Sequence, residues 1–91
     1  MKWLEIIKLR STVIDSRVLE ELFSTVQKLS QDGLVEISIY HHAGLETDLS
    51  LHLHWESGRL EQNGSAPGLR LARALKEFGL IDHSVWIKKE R

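Results

Sequence analysis

Residues 34–55 alternate apolar and polar side chains in two consecutive segments, and this pattern constrains the fold more than any other feature. In the second segment Leu49, Leu51, Leu53 and Trp55 alternate with Ser50, His52 and His54. Successive side chains of a strand point to opposite faces, so the apolar set marks a buried face and fixes the register. The first segment repeats the pattern, with Val35, Ile37 and Ile39 alternating with Glu36, Ser38, Tyr40 and His42. The two segments therefore predict a β-hairpin with one face packed against helices and a second face that carries imidazoles, a phenol and a carboxylate.

The rest of the chain predicts two helices and two more strands. Residues 3–10 are apolar on both faces, as in a central strand. A helix is expected over residues 16–30, with Asp15 as its N-cap and Gly33 as a left-handed C-cap residue. A second helix is expected to begin at Ser65, to carry Pro67 in its first turn and to close at Gly79. The last strand is expected over residues 80–88.

The order of these elements is βαββαβ, and its two halves correspond. Residues 31–35, Gln-Asp-Gly-Leu-Val, match residues 77–81, Glu-Phe-Gly-Leu-Ile, and in both a strand follows the glycine. Equal spacing allows both crossovers to be right-handed. The sequence thus predicts an α+β protein with one ferredoxin-like domain over residues 1–91, in which both helices cover one face of a four-stranded antiparallel sheet.

The correspondence between the halves also assigns side chains to the two faces of the sheet. Toward the helices we expect Ile7, Leu9, Val35, Ile37, Ile39, Leu49, Leu51, Leu53, Trp55, Ile81 and Val85. On the open face we expect Leu4, Ile6, Lys8, Glu36, Ser38, Tyr40, His42, Ser50, His52, His54, Ser84 and Trp86. This open face is too apolar for water and too polar for an ordinary core, which is typical of a pocket wall.

Five open-face residues are the candidate ligand-binding residues: Glu36, Tyr40, His52, His54 and Trp86. Aromatic rings with a few polar groups can hold a planar small molecule by stacking and hydrogen bonding. Alternatively, Tyr40 and Trp86 pack against the same surface of a second subunit. The two interpretations are compatible, because a pocket can form between two sheets.

The hairpin register decides whether the histidines have acidic partners. If Asp48 lies opposite His42, the turn has five residues and Glu36 lies opposite His54. A neighbouring carboxylate favours the charged form of an imidazole. A His54–Glu36 pair that faced a cavity would suit proton transfer.

Two further sites deserve consideration on residue type alone. His42, His52 and His54 with Glu36 or Glu56 could bind Zn²⁺, but no local spacing fixes a full ligand set, so we expect no metal. At Ser65, which follows Asn63-Gly64, free amides of a helix start could take an anion, although such ends are more often simply capped.

Composition excludes several classes of function. The net charge is −1 and basic residues are scattered, which argues against a nucleic-acid interface. The strand order is shared with RNA-recognition domains, but Leu4, Ile6, His52 and His54 fill the slots where such domains carry aromatic rings. There is no cysteine, no GxGxxG, P-loop or GxSxG motif, and no apolar run of about 20 residues. We therefore expect no cofactor, no membrane span and, since no export signal is recognisable, a cytoplasmic location.

The chain resembles the dimeric α+β barrel superfamily, which includes the antibiotic-biosynthesis monooxygenase-like proteins. Residues 49–55 and 68–75 are similar to the third strand and second helix of that superfamily, and its topology and length extend over nearly the whole chain. The resemblance implies a homodimer whose open sheet faces pack together, with a pocket between sheet and helices. Its members include cofactor-free oxygenases, haem-degrading enzymes and isomerases. No catalytic signature is matched, so no catalytic residue is transferred.

Two functions remain open on the sequence alone. One is a small-molecule-binding dimeric barrel, with monooxygenase-like or isomerase-like activity as its enzymatic form. The other is a non-catalytic binding or assembly module whose polar strand face is a protein interface. A cavity at the histidines would favour the first, and histidines occluded by a partner would favour the second.

Overall fold

The computed structural model describes residues 1–91 and contains four strands and two helices in the predicted order. They are β1 (Lys2–Ser11), α1 (Ser16–Gln27), β2 (Leu34–His42), β3 (Leu45–Glu56), α2 (Ala66–Leu75) and β4 (Gly79–Ile87), with one turn of 3₁₀ helix at Lys76–Phe78 before β4. The strands form one antiparallel sheet in the order β2-β3-β1-β4. The ferredoxin-like α+β fold is therefore confirmed. Neither helix combines the length and the apolarity that crossing a bilayer requires.

The core lies between the sheet and the two helices. It contains Trp3, Ile7 and Leu9 of β1, Leu49, Leu51, Leu53 and Trp55 of β3, and Leu22, Val26, Leu71, Ala72 and Leu75 of the helices. Trp3 and Trp55 lie opposite each other in the sheet and stack with their ring centroids 5.1 Å apart. The apolar face of the second hairpin segment is thus the buried face, as its alternation predicts.

The helix starts follow the predicted capping, whereas both α-helices end before the predicted residue; α2 ends at Leu75, and a 3₁₀ turn over Lys76–Phe78 leads to Gly79. Asp15 accepts a hydrogen bond from the Val18 amide at 2.9 Å, and Ser65 accepts one from the Gly68 amide at 3.0 Å. The first helix ends at Gln27 instead of residue 30, with Lys28 as its C-cap. Gly33 has a φ of +89°, but it serves the turn that enters β2 and is not the C-cap.

The hairpin departs from the predicted pattern at both ends of β2. An irregularity between Leu34 and Glu36 places Leu34 opposite Trp55, where it packs on the core, and leaves Val35 63% exposed. The assignment of Val35 to the helix side was therefore wrong. At the other end His42 pairs with Leu45 instead of Asp48, so the connection is the short turn at residues 43–44. A bulge in β3 absorbs the extra residues.

Candidate functional site

The five predicted ligand-binding residues all lie on the sheet face opposite the helices, which we call the open face. In the register of β2 and β3, Glu36 lies opposite His54, and Tyr40 lies opposite Ser50. His54 and Trp86 both lie opposite Leu4, on its two neighbouring strands, and His52 lies opposite Ile6. Residues that are paired across strands share a face of the sheet. Strand parity and the half-to-half correspondence therefore predicted this grouping correctly.

The open face contains two grooves, one near each end of the sheet. The first has a volume of about 470 Å³, and its lining includes Leu4, Val35, Glu36, His54 and Trp86. The second has a volume of about 450 Å³, and its lining includes Lys8, Arg10, Tyr40, Asp48, Leu80 and Asp82. Glu36, His54 and Trp86 thus line the first groove, Tyr40 lines the second, and His52 lines neither, so the five predicted residues do not share one cavity.

His52 lies between Tyr40 of the second groove and His54 of the first groove. Its ring centroid lies 4.7 Å from that of Tyr40 and 6.4 Å from that of His54. Its Nε2 atom is 2.9 Å from the Ser50 hydroxyl. Partial burial, followed by the neighbouring His54 and Lys8, lowers the pKa of His52 below its ordinary value of 6.5. The centre of the open face therefore favours a neutral imidazole at neutral pH.

Trp86 presents the most exposed aromatic ring of the open face. Its side chain lies on the edge strand β4, and the residue is 58% exposed. The indole Nε1 donates a hydrogen bond to the Ser84 hydroxyl at 2.8 Å, which restricts the orientation of the ring. An exposed and oriented indole beside Leu4 and His54 is a platform on which a flat group can stack.

The predicted His54–Glu36 pair is opposed in register but is not hydrogen-bonded. The Glu36 carboxylate accepts from the Ser38 hydroxyl at 3.4 Å. His42 lies at the hairpin turn, where its Nδ1 accepts from the Gly44 amide at 2.9 Å. No group of three histidine, aspartate or glutamate side chains is arranged to hold a metal ion. Glu36, which the register places opposite His54, therefore interacts with Ser38 instead.

A second cluster, between the sheet and α2, was missed by sequence reasoning. Glu5 is fully buried, and its carboxylate makes four hydrogen bonds. Trp55 Nε1 donates to Oε1 at 3.1 Å and the Ser65 hydroxyl donates to Oε1 at 2.6 Å. The Ser65 amide donates to Oε2 at 3.0 Å, and His83 Nε2 lies 2.6 Å from the same oxygen. We call Glu5, Trp55, Ser65 and His83 the Glu5 cluster.

Two glycines make room for the Glu5 cluster. A Cβ atom at Gly68, in the first turn of α2, would overlap the Glu5 carboxyl group, and one at Gly64 would lie 2.6 Å from Cε1 of His83. The start of α2 therefore does hold an anion, but the anion is Glu5 of the same chain. The available sequence signal was the carboxylate between Trp3 and Ile7 on a strand face that is otherwise apolar.

Comparisons with known proteins identify no relative. No protein-family model, no curated protein and no solved structure matches the chain.

Proposed function

We propose that this protein binds a planar small molecule at its open face and works as a homodimer of the dimeric α+β barrel type. The observation that carries the proposal is Trp86, an exposed indole that lies with Leu4 and His54 in a groove of the uncovered sheet face. Cofactor-independent monooxygenase-like or isomerase-like activity is the enzymatic form of this proposal.

The dimer is supported by the apolar character of the open face. Both helices cover the other side of the sheet, whereas Val35, Tyr40, Leu80 and Trp86 are 63%, 52%, 73% and 58% exposed, respectively. Large contiguous apolar patches on soluble proteins mark interaction sites. A two-fold interface uses the same patch on both chains, so a second copy would cover both patches at once. The polar groups of this face, such as His52 and Lys8, would then line the space between the two sheets.

The ligand is supported by the shape and lining of the first groove. Its volume of about 470 Å³ lies within the usual range for small-molecule sites, roughly 300–1,000 Å³. Trp86 offers a stacking surface, while His54 and Glu36 offer an imidazole and a carboxylate at its edge. A flat, largely apolar molecule with one or two polar substituents fits these groups.

A non-catalytic binding or assembly module is the second candidate. It is favoured by the missing hydrogen bond between His54 and Glu36, because a proton-transferring histidine is normally oriented by a partner. In that case the open face acts as an interface alone, and no void persists between the two chains.

Tryptophan fluorescence tests the ligand site. Titration with nicotinamide, a planar molecule that quenches an indole on contact, should quench the fluorescence in a saturable way. Trp86→Phe should remove most of the saturable quenching. Trp55→Phe should retain it, because the Trp55 ring is buried on the helix side. His54→Ala should weaken binding with little change in the free energy of unfolding. Linear, unsaturable quenching in the wild-type protein would contradict a binding site.

Light scattering tests the dimer separately. The wild-type protein should elute with twice the chain mass of 10.5 kDa at micromolar concentration. Trp86→Glu should shift it to the monomer mass. Phe23→Glu is the matched control, because Phe23 is a comparably exposed aromatic residue on α1, away from the open face. A monomeric wild-type protein would contradict the proposed assembly.

A further inference from the structure

The Glu5 cluster contains the hydrogen-bonded carboxylate–imidazole pair that the open face lacks. His83 Nε2 lies 2.6 Å from Glu5 Oε2, whereas His52 Nε2 lies beside the Ser50 hydroxyl and the Glu36 carboxylate opposite His54 bonds to Ser38. We propose that His83 is a proton-accepting site, positioned by Glu5, for a ligand that carries a weakly acidic O–H or C–H group. This site lies on the helix side of the sheet and is independent of the open-face dimer.

The surroundings of Glu5 determine which nitrogen of His83 carries the proton. The Trp55 indole and the Ser65 amide can only donate, and the Ser65 hydroxyl, which accepts from the Gly68 amide, donates its own proton to Glu5. A buried carboxylate surrounded by donors is satisfied as an anion, and an anion accepts only. The neutral imidazole of His83 must therefore donate from Nε2, which leaves the lone pair on Nδ1.

The Nδ1 atom of His83 remains accessible. The structure contains no buried side-chain nitrogen or oxygen without a partner, and the one hydrogen bond of this ring is made by Nε2. Nδ1 therefore is not fully enclosed, in a side chain that is 16% exposed. His83 belongs to the edge strand β4, and the missing Cβ at Gly64 lets the start of α2 pack directly against the Nε2 and Cε1 side of the ring.

The pair has the arrangement that supports proton transfer. The proton of the ligand moves to Nδ1, and the electron pair of the broken O–H or C–H bond stays on the ligand as a phenolate or enolate. The resulting imidazolium is stabilised by the negative charge of Glu5, which also fixes the ring orientation. Return of the proton to another atom of the ligand would complete an isomerisation, which consumes no oxidant and no cofactor. His83 is the proton acceptor in this scheme and Glu5 is a positioning residue.

Nitrogen NMR of the histidine side chains tests the positioning by Glu5. At a pH where the histidines are neutral, His83 should be the Nε2–H tautomer, with an unprotonated Nδ1. Ser65→Ala removes one donor to Glu5 without touching His83, and it should leave this tautomer unchanged. Glu5→Gln should give a mixture of tautomers. A wild-type His83 that is protonated at Nδ1, or a tautomer insensitive to Glu5→Gln, would overturn the assigned role.

Two probe molecules test the proton-accepting site itself. Phenol should shift the Nδ1 resonance of His83 in a saturable way, whereas anisole, which has the same ring without the O–H group, should not. His83→Gln keeps an amide donor for Glu5 and removes the basic nitrogen. This variant should stay folded and lose the saturable shifts that phenol causes in the neighbouring Gly64 and Ser65 amides. No response to phenol, or equal responses to phenol and anisole, would show that the pair is structural only and would overturn the proposal.

Discussion

Replacement of Gly68 by alanine gives the sharpest test of how tightly Glu5 is held. The three atoms nearest to a Cβ at Gly68 are Oε2, Cδ and Oε1 of Glu5, so the methyl group would overlap the carboxyl group. A free glutamate would rotate away at little cost, but this carboxylate is held by four hydrogen bonds. Gly68→Ala should therefore destabilise the protein by about 1–3 kcal/mol, the usual range for overpacking.

Gly68→Ala should have a different effect on stability when Glu5 is replaced by alanine. Glu5→Ala alone should cost about 3–5 kcal/mol, because it leaves buried donors on Trp55 and Ser65 unpaired. With the carboxyl group gone, Gly68→Ala no longer overlaps it and gains up to about 1 kcal/mol of helix propensity in α2. The double mutant should thus be more stable than the sum of the single effects predicts, by about 1–4 kcal/mol.

Urea unfolding of the four proteins measures this coupling. Gly58→Ala is the matched control, because a Cβ atom there meets nothing within 4 Å and should combine additively with Glu5→Ala. An equal cost of Gly68→Ala in both backgrounds would refute the argument that Glu5 is immobilised beside α2.

The remaining predictions concern the core, the pH dependence and metal binding. Leu51→Ala should destabilise by about 2–5 kcal/mol because it leaves a cavity in the core, and Ser50→Ala on the other face should cost much less in the same urea titration. Equal losses would contradict the strand phase. His52 has a lower pKa in the folded state than in the unfolded state, so the unfolded state binds the proton more readily. The free energy of unfolding should therefore decrease as the pH falls below 6.5. Urea midpoints across this range should decline less in His52→Gln, and identical declines would exclude His52 as a source. Elemental analysis of the purified protein should detect no stoichiometric zinc, iron or copper, and metal that disappears in His52→Ala would contradict this.

Local sequence patterns were sufficient to predict most of the fold. Alternation over 49–55 placed β3 and its buried face, and the capping residues Asp15 and Ser65 marked both helix starts. The irregular points were not predictable in the same way. Val35 and Leu34 are both apolar, so composition could not show which of them the bulge would turn outward.

The open face was predictable because period-two alternation is a local property of each strand. The Glu5 cluster was not, because its members are separated by up to 78 residues and meet only through tertiary packing. Glu5 alone stood out as a charge on an apolar strand face. Neither Ser65 nor His83 carries any local sign that its partner is a buried carboxylate.

The measurement that tests the central claim most directly is an isotope-filtered NOE experiment on a mixture of labelled and unlabelled chains. If two open faces pack together, intermolecular cross-peaks should connect the Trp86 indole and the Ile6 methyl groups of one chain with open-face side chains of the other. Cross-peaks from Phe23 of α1 instead, or no intermolecular cross-peaks at all, would contradict the account of the open face as the shared wall of a dimeric site.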